Sequence, residues 1–77
     1  MNAQRRKSIQ EVIDQLTDLQ STVEMLRAEE QEVYDNLPEN LQGSERGEAM
    51  SEAAENLYSA YDSIDEVLEY LNTAIEG

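Results

Sequence analysis

The chain has 77 residues, with 18 Asp and Glu against 5 Lys and Arg, a formal net charge of -13, and no His, Cys, Trp or Phe. Lacking Cys and His, it has no disulfide, no thiolate nucleophile, no imidazole base and no zinc site of ordinary type, which excludes much enzyme chemistry. So acidic a surface repels nucleic acid and anionic lipid and attracts cationic protein, leaving a small Leu, Ile, Val, Met and Ala core as the basis of any fold.

A single domain of this size buries only about 60% of the surface its unfolded chain exposes, so self-association is expected. Met1 to Ser8 carries Arg5, Arg6 and Lys7, three of the five cations, before any apolar periodicity begins. A solvated terminus, loosely attracted to the acidic end of the chain, is the simplest expectation. No apolar segment follows it as in a secretory signal, and no run approaches the ~20 apolar residues of a membrane helix. A cytoplasmic protein is therefore expected.

From Ile9 the apolar residues fall at Val12, Leu16, Leu19, Val23, Leu26, Val33 and Leu37, spaced alternately by three and four, with Glu30 in one place of the series. This is a heptad seam, and it predicts a helix from about Arg5 to Asn36. Ile13 and Tyr34 lie beside the seam and widen it. Glu30 is the one charge the pattern sets against the core; the Tyr61 hydroxyl, Arg27 or an arginine of a second chain is expected to satisfy it. A lone polar seam residue of this kind can fix register or oligomeric state.

Leu37 to Ser44 reads as a hinge. Pro38 removes a backbone donor and pushes Leu37 out of helical geometry, ending the first helix. A short turn from Pro38 is expected to bring Leu41 over the end of the core. Ser44 is the predicted N-cap of the second helix, with Glu45 and Glu48 near its first turn, where negative charge favours the dipole. Arg46 is expected to pair with Asp35, Glu45 or Glu48. Gly47 costs about 1 kcal/mol relative to Ala inside a helix, which points to a close backbone approach there. Tyr34, Asn36, Gln42, Ser44, Glu45 and Arg46 together exceed the hydrogen-bonding needs of a reversal and form a candidate partner-binding cluster.

The second helix, Glu45 to Glu76, has its own seam of Met50, Ala54, Leu57, Tyr61, Ile64, Leu68, Leu71 and Ile75. Folding at the hinge would pair Val33 with Ala54, Leu26 with Tyr61, Val23 with Ile64, Leu19 with Leu68, Leu16 with Leu71 and Val12 with Ile75. The predicted fold is all-α, a single-domain antiparallel two-helix hairpin of coiled-coil type. Ala53, Ala60, Val67 and Ala74 recur beside the second seam and are read as a homo-oligomer contact, two hairpins dimerising into a four-helix bundle, the alternative being that the stripe packs against the first helix after a modest rotation. On the opposite side Glu48, Glu52, Glu55, Asp62, Glu66, Glu69 and Glu76 make an acidic ridge, with no Lys or Arg from Glu48 to Gly77. Carboxylates one helical turn apart lie ~5–6 Å from each other, close to the spacing of nucleic-acid phosphates. The ridge is thus either a DNA-mimic surface or a solvated outer face.

The segment Glu29 to Met50, EEQEVYDNLPENLQGSERGEAM, followed by an Ala-, Leu- and acid-rich helix, resembles short proteins encoded by phages and prophages of Gram-positive and gut bacteria. A core of the form DN[LM]PxxLQxSERG recurs there, matched here by Asp35, Asn36, Leu37, Pro38, Leu41, Gln42, Ser44, Glu45, Arg46 and Gly47. The resemblance covers most of the chain, although the usual long Glu-rich tail is short. It implies a phage origin, a helical hairpin and action in a host cytoplasm, and it brings no assigned activity with it.

These features point to a non-enzymatic accessory protein without cofactor or metal that binds a basic host or defence protein, with neither direct nucleic-acid nor membrane contact. One alternative is an assembly protein whose oligomeric bundle is its function. Another is a counter-defence protein that sequesters nucleotides through Arg46 and the hinge, which the excess negative charge disfavours.

Overall fold

The computed structural model describes residues 1–77. Helix α1 spans Ala3–Asp35, a one-turn helix α2 spans Glu39–Gln42, and α3 spans Glu45–Glu76. The long helices lie antiparallel along an axis of 59 Å, with cross-sectional extents of 15 and 12 Å. The radius of gyration is 17.4 Å, against about 11.5 Å for a compact domain of this length.

Helix α1 begins two residues earlier than its periodicity predicts. The Asn2 side chain accepts from the Arg5 N–H at 2.7 Å, satisfying one of the free donors of the first turn. Arg5, Arg6 and Lys7 are therefore helical and exposed, and none forms an ion pair with the acidic end of the chain.

The second seam lies as its spacing predicts. Ala54 is buried, and Met50, Leu57, Tyr61, Ile64, Leu68, Leu71 and Ile75 are half-buried along α3. The first is rotated. Ile9, Leu16 and Val23 face inward with Ile13, Gln20 and Arg27, whereas Val12, Leu19, Leu26 and Val33 remain 45%, 57%, 47% and 49% exposed. The α1 members of four expected pairings, Val33 with Ala54, Leu26 with Tyr61, Leu19 with Leu68 and Val12 with Ile75, thus stand close to half exposed rather than enclosed. Gln20 instead reaches Asp65 and the Tyr61 carbonyl. An apolar stripe wider than one partner helix can cover must leave one edge outside, and Gln20 favours its own edge by gaining two hydrogen bonds across the pair.

The connection forms a compact reversal. Asn36 caps α1 with its N–H to the Glu32 carbonyl at 3.0 Å, and Leu41 N–H closes on the Pro38 carbonyl at 2.8 Å. The Gln42 amide donates back to the carbonyls of Leu37 (3.3 Å) and Tyr34 (3.5 Å), covering the open end of α1. Ser44 Oγ accepts from Gly47 N–H at 3.2 Å and donates to the Leu41 carbonyl. Gly47 is buried, and a Cβ there would come within 2.5 Å of the Leu41 carbonyl oxygen and closer still to that of Gln42. The close approach expected at Gly47 is present. Leu41, by contrast, is 45% exposed and does not close the core, because the single turn of α2 carries it outward.

Candidate functional site

At the hinge, most of the polar excess is consumed locally. Gln42 and Ser44 cap the two long helices, and the Tyr34 carbonyl is one of Gln42's acceptors. Asn36, Glu45 and Arg46 remain exposed. Arg46 makes no ion pair with Asp35, Glu45 or Glu48, contrary to its expected role; Arg27 with Glu24 is the only salt bridge in the molecule. The hinge therefore presents one cation beside Glu45, a poor anion receptor.

Midway along the hairpin, Arg27 grips Glu24 as a fork, Nε to Oε2 at 2.9 Å and Nη2 to Oε1 at 2.8 Å. The pair sits one helical turn apart and half-buried. Hydrogen bonding to Arg27 holds the Glu24 carboxyl below its ordinary value of 4.5. The same bond raises the affinity of Arg27 for its proton, with a smaller contribution from nearby Tyr58. Beside the pair is an open cleft of about 450 Å³ lined by Arg27, Gln31, Ala54, Glu55, Tyr58 and Ser59. Its one cation is already neutralised by Glu24 and its rim carries Glu55, so the cleft offers no charge to a phosphate.

Glu30 is half-buried and forms neither a side-chain hydrogen bond nor an ion pair. No buried side-chain nitrogen or oxygen lacks a partner, so its carboxylate reaches solvent and the expected burial cost does not arise. The polar residue enclosed between the helices is Gln20, 8% exposed. A signal for it was present in the sequence, since Ile13, Gln20, Arg27 and Tyr34 follow one another at seven-residue steps. Two apolar ends of that line marked the edge on which Gln20 and Arg27 lie inside.

Two broad surfaces remain. Glu48, Glu52, Glu55, Asp62, Glu66, Glu69 and Glu76 are all exposed and unpaired along the outer side of α3. The second surface is apolar. In an antiparallel pair related by a two-fold axis normal to the plane of the helices, equivalent heptad positions share one broad face. Val12, Leu19, Leu26 and Val33 of α1 therefore lie on the same face as Ala53, Ala60, Val67 and Ala74 of α3. Gln20, Asp65 and the Arg27 cleft occupy the other face. Of the small stripe, Val67 and Ala74 are exposed, and Ala53 and Ala60 are half-buried.

No helix is long and apolar enough to cross a membrane. Comparison with described protein families, curated proteins and solved structures finds no match.

Proposed function

We propose that the chain is a non-enzymatic binding protein whose acidic outer face engages a cationic protein partner. The observation that carries this reading is the exposure of all seven ridge carboxylates on α3, with no cation paired to any of them. Ordinary exposed helices mix both signs of charge. An unneutralised row of carboxylates steers cationic surfaces toward it and is itself stabilised by meeting one. The hinge resemblance adds a phage-encoded setting, in which the partner is a host or defence protein of the surrounding cytoplasm.

The test is capture from host lysate at low and high salt, using the wild-type chain and a variant carrying Glu52→Lys, Asp62→Lys, Glu66→Lys and Glu69→Lys. A basic protein captured by the wild type, released by salt and not captured by the variant is the expected result. Equal capture by both chains would overturn the ridge and move the contact to the hinge.

The apolar face favours a second reading, in which assembly is itself the function. Both readings use a homodimer as the working unit, with two hairpins forming a four-helix bundle. Recovery of self-assembled chain alone, with no cationic partner, would favour assembly.

A further inference from the structure

Resting on the homodimer reading, we infer that a second copy covers the apolar face with both hinges at the same end of the bundle. The accessible surface of the hairpin is 5675 Å², against about 4,800 Å² for a compact chain of 8.8 kDa. The excess reflects a core of few enclosed residues, 4 of 77. Meanwhile four large aliphatic side chains of α1 remain close to half exposed on one line.

The size of this face fits such an occupant. Val12 to Val33 runs about 32 Å at ~1.5 Å per residue. Two helices ~10 Å apart, with their side chains, make it roughly 20 Å wide. About 640 Å² per copy, or about 1,300 Å² in all, falls within the range of stable interfaces.

The distribution of side-chain volume sets the orientation. On this face α1 contributes Val and Leu, and α3 contributes three Ala and one Val. If the dyad runs along the hairpin, each α1 lies over the partner's α3 and every large stripe meets a small one. The hydrogen bonds of Gln20 to Tyr61 and Asp65 fix the levels. Leu19 then falls between Ala60 and Val67 of the partner subunit, and Leu26 between the partner's Ala53 and the partner's Ala60. Large residues fill the spaces between small ones, as close packing requires. A dyad across the hairpin would instead set Leu against Leu and Ala against Ala, requiring two helix separations in one flat interface. The acidic ridges project from the outer sides in the favoured arrangement and stay open to a partner.

The absence of cysteine permits single spin labels at Asn40→Cys in the hinge and, separately, at Thr73→Cys near the other end, both exposed positions. Sedimentation and inter-label distance are measured on the same labelled full-length samples at moderate salt. A dimer mass with separations on the scale of the bundle width, roughly 20–30 Å, is expected for both labels. A dimer whose labels are separated on the scale of the 59 Å long axis would overturn the shared-end arrangement and leave the dimer standing. A monomer mass at high protein concentration would overturn both.

Discussion

Gln20 Nε2 donates to Asp65 Oδ1 at 2.9 Å and to the Tyr61 carbonyl at 3.3 Å, tying α1 to α3 across the middle of the hairpin. This contact lies on the edge of α1 that faces inward. Gln20→Ala removes both bonds and is expected to lower stability by about 1–2 kcal/mol in urea denaturation. Asp65→Ala is expected to cost less, because the Tyr61 carbonyl remains available to Gln20. A double-mutant cycle returning no coupling between Gln20 and Asp65 would contradict the assignment.

The two glycines of the reversal should respond oppositely to alanine. At Gly47 a methyl group overlaps the backbone carbonyls of Leu41 and Gln42. Gly47→Ala is therefore expected to destabilise by about 1–3 kcal/mol, despite a helix-propensity gain of ~1 kcal/mol. At Gly43 nothing lies within 4 Å and φ is -85°, so Gly43→Ala is expected to be neutral or stabilising by up to ~1 kcal/mol. Thermal melts of the two variants make the comparison.

Ser44 terminates the free end of α3 through Gly47 N–H. Ser44→Ala is expected to cost about 1 kcal/mol, and Ser44→Thr, which keeps a hydroxyl able both to accept from Gly47 N–H and to donate to the Leu41 carbonyl, to restore most of it. Equal melting temperatures for wild type and Ser44→Ala would show that Ser44 does not act as a cap.

The hydrogen bond from Arg27 depresses the Glu24 carboxyl. Because its folded value lies below its unfolded one, the Glu24 contribution to stability is fully present above the unfolded value and is lost as pH falls through the folded value. NMR titration should place the Glu24 midpoint below 4.5, the ordinary value, and Arg27→Gln should raise it. A midpoint unmoved by Arg27→Gln would remove Arg27 as the cause.

The fold was legible because heptad spacing, Pro38 and the Ser44 cap all belong to local sequence. The seam of α3, from Met50 to Ile75, was legible for the same reason. The rotation of α1 was harder to read. Its apolar positions span more than one contact edge, and assigning Val12, Leu19, Leu26 and Val33 to the seam followed from hydrophobicity alone. In the hairpin the edge carrying Ile13, Gln20 and Arg27 faces α3 instead, with Gln20 bonded across the pair, and no spacing rule registers a long-range amide contact. Arg46 misled for a related reason, since an exposed arginine gains little from pairing once side-chain entropy is counted. The acidic ridge follows directly from composition and helical periodicity, and its exposure follows from the α3 seam on the opposite side.

The most direct test of this account is sedimentation of Leu19→Lys/Leu26→Lys beside the wild type, at moderate salt, with helicity followed by circular dichroism. Both leucines are exposed in the hairpin, so the variant should stay helical and sediment near 8.8 kDa while the wild type sediments at twice that mass. A wild-type chain that stays monomeric at high concentration, or a variant that dimerises as well as the wild type, would contradict it.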